Sequence, residues 1–110
     1  MFNAYTLPLA ERQKNRETVR VEMAERPEAY AANLRKLYET NSEARQLVDR
    51  DILGARKGTN TVARAGQLVA SEVFHCTGSW AAEAWHKLTG REQGIIDAAF
   101  EREIERLRTF

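Results

Sequence analysis

The helical pattern of this chain is clearest in residues 62–88, which read VARAGQLVASEVFHCTGSWAAEAWHKL. In the first half, apolar residues recur every three or four positions, the spacing that places side chains on one face of an amphipathic helix. These residues are Val62, Ala65, Val69 and Val73. The second half repeats the spacing with Ala81, Ala84, Trp85 and Leu88. Because Gly78 and Ser79 interrupt the pattern, the segment predicts two helices that meet at a short turn and form the centre of the core.

The residues before this segment predict three further helices. The first begins after Thr6 and ends near Arg26, because Pro27 forces a break and starts the second helix. The expected buried stripe of the first helix consists of Leu9, Val19 and Met23. The third helix follows Thr40-Asn-Ser-Glu43, which has the spacing of a capping box. Its expected end is Gly58.

A last helix is predicted after Thr89-Gly-Arg-Glu92, which repeats the capping-box spacing. Its apolar stripe runs from Ile96 to Leu107, with charges of both signs beside it. We predict that this stripe completes the intramolecular core, and pairing with a second copy in a homodimer is the alternative. Since no strand pattern of period two is present, the predicted fold is all-α, a compact orthogonal bundle of five to six helices.

Length and composition set the class of protein. The 110 residues have the size of one domain, residues 1–110, with a short N-terminal arm at residues 1–6. Hydrophobic residues make up 43% and charged residues 30%, which is typical of globular chains. The sequence has no apolar run of about 20 residues, no secretory signal pattern and only one cysteine. We therefore expect a cytoplasmic protein that does not enter a membrane.

The charge balance argues against a protein that coats nucleic acid, because 17 basic and 16 acidic residues leave a net charge of +1. One local excess of positive charge exists at residues 55–64, named here the basic turn. This segment contains a flexible glycine, backbone amides at the start of a helix, hydroxyl groups and basic side chains. Together these groups could bind a phosphate. The candidate anion or nucleic-acid contacts are Arg56, Lys57, Thr59, Asn60, Thr61 and Arg64.

Two other interpretations of the basic turn remain open. Arg56 and Lys57 also suit an ordinary helix end, where cations complement the helix dipole before the next N-cap. A helix-turn-helix with Gly58 in its turn matches only in part. In that register, Arg56 and Lys57 occupy positions where such motifs pack apolar residues.

The candidate catalytic or metal-binding residues are His75, Cys76 and His86. His75 and Cys76 are neighbours on a helix, so their side chains point about 100° apart and do not easily chelate one ion. No further zinc-ligand pair, phosphate-binding loop or nucleophile motif accompanies them. The sequence therefore predicts no enzyme, no metal and no cofactor.

The function favoured by the sequence is a small non-catalytic protein-binding factor, which means a regulator, adaptor or inhibitor. Compact domains of this size without motifs are frequent among the accessory proteins of phages and plasmids. The partner is expected on charged helical surfaces, whose candidates are Arg12, Arg16, Arg20, Arg102, Arg106 and Phe110. A nucleic-acid-binding regulator that uses the Gly58 turn and the following helix is the alternative. No motif is specific enough to indicate a family.

Overall fold

The structure is a computed structural model that describes residues 8–109. Six α-helices occur in this range: α1 (Leu9–Glu25), α2 (Pro27–Thr40), α3 (Ser42–Leu47), α4 (Thr61–Phe74), α5 (Gly78–His86) and α6 (Gly90–Arg108). A π-helical segment, Val48–Leu53, continues α3. No strand is present between residues 8 and 109, so the predicted all-α bundle of five to six helices is confirmed. The predicted arm at residues 1–6 and the candidate Phe110 lie outside the described residues.

One capping prediction is confirmed and one is wrong. At α6, the Thr89 hydroxyl accepts the Glu92 N–H at 3.1 Å and the Glu92 carboxylate accepts the Thr89 N–H at 2.8 Å. At α3, the cap is Asn41, whose side-chain oxygen accepts the Ala44 N–H at 3.0 Å. Thr40 is instead the last residue of α2 and donates its hydroxyl to the Lys36 carbonyl oxygen at 2.6 Å. The second helix thus includes Thr40, the first residue of the predicted capping box.

The predicted end of the third helix at Gly58 is also wrong. Helical backbone ends at Leu53, and the Gly54 N–H donates to the Asp49 carbonyl oxygen at 2.9 Å, an i to i+5 bond of the π-helical type. A Cβ atom on Gly54 would lie 2.9 Å from that same oxygen, which explains the glycine at the end of the segment. Gly58 lies in the following turn and has a positive φ of 90°.

The core is built around the contacts of α2 and α4 with the last helix. Tyr30 of α2 stacks on Phe74 of α4 with ring centroids 5.6 Å apart. It also meets Phe100 of α6 edge-on at 5.7 Å. The α6 stripe is buried at every apolar position expected: Ile96, Ala99, Phe100, Ile104 and Leu107. The last helix therefore completes the intramolecular core, and this stripe is not free to pair with a second copy.

Two residues expected in the core are exposed. Leu9 is 56% exposed and Val73 is 36% exposed. Leu9 is the first residue of α1 and Val73 lies in the last turn of α4. The apolar face continues into these terminal turns, but the neighbouring helices do not cover it there. None of the helices formed by residues 8–109 is long and apolar enough to span a membrane.

Candidate functional site

The basic turn connects the π-helical segment to α4 on the surface of the bundle. Arg56, Lys57 and Gly58 are exposed, and the Thr59 N–H donates to the Arg56 carbonyl oxygen at 3.1 Å. This bond closes a tight turn whose positive φ at Gly58 costs little for a residue without a side chain. The turn therefore holds Arg56 and Lys57 on a defined piece of backbone.

The start of α4 uses one of the candidate ligands for capping. The Asn60 side-chain oxygen accepts the Ala63 N–H at 3.0 Å, so Asn60 is the N-cap of the helix. The capping bond uses the side-chain oxygen, so an anion contact from Asn60 would come from its amide nitrogen. Thr59 and Thr61 are half-buried on either side of it, and Arg64 is exposed one turn further along the helix.

The cations of the basic turn have no carboxylate partner among residues 8–109. No ion pair in this range involves Arg56, Lys57 or Arg64. Two acids that precede the turn in sequence already have partners. Asp51 accepts a hydrogen bond from the Arg50 guanidinium at 2.8 Å, and Asp49 accepts one from the Tyr38 hydroxyl at 2.9 Å. The turn is therefore a surface whose positive charges form no ion pair with residues 8–109.

The Asp51 carboxylate interacts electrostatically with Arg64 of the basic turn. The hydrogen bond from Arg50 is the largest cause of the lowered pKa of Asp51, and the charge of Arg64 lowers this pKa further.

The last helix contacts the segment that leads into the basic turn. Arg108 of α6 donates to the Leu53 carbonyl oxygen at 3.1 Å. This bond ties the C-terminal end of α6 to the backbone that leads into the basic turn.

The candidate arginines of the first helix contact other parts of the same chain. The guanidinium carbons of Arg12 and Arg16 lie 5.7 and 4.9 Å from the ring centroid of Trp80 on α5. Arg16 also donates to both carboxylate oxygens of Glu83, at 3.2 and 3.1 Å. Arg20 pairs with Glu17 within α1. Arg12 and Arg16 therefore help to attach α1 to α5, whereas the Arg20 pair lies within α1.

The candidate arginines of the last helix are likewise engaged within the protein. Arg102 forms an ion pair with Glu28 of α2. Arg106 donates to Glu103 at 2.7 Å, and Glu103 also lies 3.5 Å from Arg35 of α2. The Glu103 side chain is buried between these partners, with the residue 4% exposed. Glu103 falls on the apolar stripe of α6, three residues after Phe100 and four before Leu107, so its spacing places it on the buried face although its charge does not predict burial.

The residues considered for catalysis lie at or beside the C-terminal ends of α4 and α5. The Cys76 thiol is buried, and burial raises its pKa to about 11, which disfavours the nucleophilic thiolate. His75 has a left-handed backbone at the end of α4, while His86 ends α5. No group of three His, Cys, Asp or Glu residues within the described range could hold a metal ion. A non-catalytic role stays a prediction.

No family model, no curated protein and no solved structure matches the chain.

Proposed function

We propose that the protein is a non-catalytic binding factor, a regulator, adaptor or inhibitor, that docks an acidic surface of a partner protein on its basic turn. The observation that carries this proposal is the difference between two sets of cations. Arg56, Lys57 and Arg64 have no carboxylate partner among residues 8–109. The other candidate arginines all contact acidic groups or an aromatic ring of the same chain: Arg12, Arg16, Arg20, Arg102 and Arg106.

The backbone of the basic turn is already held in place, which supports its use as a binding surface. Its backbone is held by Gly54 at the end of the π-helical segment, by the Arg108 bond to Leu53 and by the Asn60 cap of α4. A surface that is already ordered loses less conformational entropy when a partner binds. Exposed cations on such a surface raise the association rate with an acidic partner and reject basic ones.

The size of the charged patch favours a protein over a nucleic acid as the partner. Each neutralised phosphate contributes about −0.9 to the slope of log affinity against log salt, so three free cations give a slope of about −3. Proteins that depend on phosphate contacts commonly make about 6–10 of them. The net charge of +1 adds no long-range attraction to a polyanion.

A nucleic-acid-binding regulator is the second candidate, and one observation favours it. Arg64 and Gln67 are both exposed in the first two turns of α4, whose first residues, 61–64, belong to the basic turn. Such side chains suit contacts to phosphates and base edges. Two copies of the patch would be needed to reach the usual number of phosphate contacts.

The test compares two charge reversals that change the net charge equally. Arg56→Glu with Lys57→Glu alters the basic turn, whereas Lys36→Glu with Arg91→Glu alters exposed cations on α2 and α6. Each protein is used for crosslinking and affinity capture in its native cell. A random-sequence DNA duplex is titrated in parallel at low and physiological salt.

The proposal expects a partner that the wild type and the α2/α6 variant capture and that the basic-turn variant loses. Equal capture by all three proteins would show that the basic turn is not the interface. Steep salt-dependent binding of the duplex, lost only in the basic-turn variant, would replace the proposal with the nucleic-acid candidate.

A further inference from the structure

A cleft of about 470 Å³ is lined mainly by α4, α5 and α6, and Asn60, Val62 and Ala63 of the basic turn contribute to its lining. Small-molecule sites in proteins commonly have volumes of about 300–1,000 Å³. The side of α5 towards the cleft contributes Trp85 and His86, and the side of α6 contributes Gln93 and Asp97. The cleft is therefore large enough for a small organic ligand.

The floor of the cleft is aromatic and aliphatic. Tyr30, Ile96 and Phe100 line it and are almost fully buried, while Trp85 is half-buried at its wall. The Gln93 amide donates to the carbonyl oxygens of Trp85 at 3.0 Å and Leu88 at 3.4 Å, which fixes the corner between α5 and α6. An apolar ligand body would meet a surface that is already in place.

Asp97 supplies the charge of the cleft. It is the one Asp, Glu, Lys or Arg side chain among the described residues of the lining. No hydrogen bond or ion pair joins its carboxylate to residues 8–109. Burial raises the pKa of Asp97, and the negative charge of Glu101 one turn further along α6 raises it again. The carboxylate therefore lacks a cation that would stabilise its ionised form.

Gly66 lines the cleft and places no side chain in it. It lies inside α4, where glycine is less stable than alanine. Close packing does not require this glycine, because a Cβ atom there would meet its nearest neighbour, a ring carbon of Phe100, at an ordinary 3.9 Å. The missing side chain instead leaves space in the cleft that Gly66 lines.

We propose that this cleft binds a small organic amine, with its ammonium group on the Asp97 carboxylate and its apolar body over the aromatic floor. The charge of the lining selects this class of ligand. A carboxylate or phosphate ligand would face Asp97 without any lysine or arginine of the described lining to offset the repulsion. The ligand class follows from the cleft alone and does not depend on the partner proposed for the basic turn.

The test uses three probes that differ only in their polar end: 4-phenylbutylamine, 4-phenylbutan-1-ol and 4-phenylbutanoate. Each is titrated into the isotope-labelled protein, and amide and indole resonances are followed by NMR up to about 10 mM probe, the range of weak fragment binding. The expected order of affinity is amine, then alcohol, then acid. The amine should bind about tenfold more tightly than the alcohol, with shifts at Gly66, Trp85 and Gln93.

Three variants assign the site. Asp97→Asn should weaken amine binding by about tenfold and leave the alcohol unchanged. Gly66→Ala should weaken both amine and alcohol by about threefold, because its methyl group occupies part of the cleft. Gly94→Ala, at an open position of α6 outside the cleft, is the matched control and should change neither.

The proposal is overturned if the alcohol or the acid binds as tightly as the amine, or if no probe binds. It is also overturned if the shifts map away from the cleft, or if Asp97→Asn leaves amine affinity unchanged. The native-like spectrum of each variant establishes that it is folded before its affinity is compared.

Discussion

The phenolic hydroxyl of Tyr30 on α2 donates a hydrogen bond of 3.1 Å to the carbonyl oxygen of Gly66 on α4. The two residues are 36 positions apart in sequence, and both line the cleft between α4, α5 and α6. Burial raises the pKa of Tyr30, so the hydroxyl stays a donor throughout the physiological range. The bond therefore links the floor of the cleft to its wall.

Tyr30→Phe removes this donor and keeps the ring. We expect the free energy of unfolding to fall by about 0.5–1.5 kcal/mol, the usual net contribution of one such hydrogen bond. The measurement is urea-induced unfolding. Tyr38→Phe is the matched control, because Tyr38 donates to Asp49 in an exposed environment and should cost less. Equal losses in both variants would contradict a special role for the bond between Tyr30 and Gly66.

Gly54→Ala should destabilise the protein by about 1–3 kcal/mol, the usual cost of forcing atoms into occupied space. The new Cβ atom would lie 2.9 Å from the Asp49 carbonyl oxygen and 3.2 Å from that of Arg50, and backbone atoms cannot move aside cheaply. Gly94→Ala serves as the control, since nothing lies within 4 Å and the helix should gain about 0.5–1 kcal/mol. The midpoints of thermal unfolding distinguish the two. An unchanged midpoint for Gly54→Ala would refute the steric explanation.

Glu103 and its two arginines should behave as one unit. Arg35→Ala or Arg106→Ala alone leaves the buried carboxylate with one cation, so each single change should cost about 1 kcal/mol or less. The double variant leaves the buried Glu103 carboxylate without a cation, and the free energy of unfolding should fall by about 3 kcal/mol. This value is at the low end for a broken buried pair because both arginines are partly exposed. A double-mutant cycle from denaturant unfolding gives the coupling. Simple additivity would mean that the carboxylate is stabilised by something else.

The Cys76 thiol should react with iodoacetamide about 100-fold more slowly in the folded protein at pH 8 than in concentrated urea. A pKa of about 11 leaves few thiolates at that pH, and the residue is only 1% exposed. Mass spectrometry of timed samples measures the rate. Labelling of the folded protein at the unfolded rate would contradict the burial of this thiol. Cys76→Ala should also leave partner capture intact.

Asp97→Asn should stabilise the protein at pH 7. The folded-state pKa of Asp97 is raised, so folding favours its protonated form and the ionised form lowers stability above both pKa values. The gain from asparagine should therefore fade as the pH falls below the ordinary aspartate pKa.

Asp51→Asn is the control with the opposite sign. The hydrogen bond from Arg50 lowers the pKa of Asp51, which makes its ionised form stabilising at neutral pH. Thermal midpoints measured from pH 7 to acid test both variants. A destabilising Asp97→Asn would show that the carboxylate has a partner in the folded state.

The helices were predictable from local patterns. Apolar spacing identified the buried faces of α5 and α6, and the Thr89 to Glu92 spacing located the start of α6. The errors fall at helix ends, where Asn41 caps α3 in place of Thr40 and where Gly54 ends the π-helical segment in place of Gly58. Neighbouring residues offer almost equal caps at such positions, and the backbone hydrogen bonds of the folded chain select one of them.

The functional surfaces were less predictable, because charges of the same type have different environments. Arg16 and Arg56 are both arginines in charge-rich segments. Arg16 contacts Glu83, which is 67 residues away, while Arg56 meets no carboxylate of the described chain. No periodicity of the sequence distinguishes them.

The amino-acid sequence thus determines the helices of this protein, because apolar spacing and capping depend on residues within a few positions of one another. Only tertiary packing determines which cations stay free, which arginines pair with Glu103 and where a cleft remains between α4, α5 and α6. The pair between Arg102 and Glu28, 74 residues apart, shows the reason. Contacts over such separations depend on the relative placement of whole helices, which no local pattern specifies.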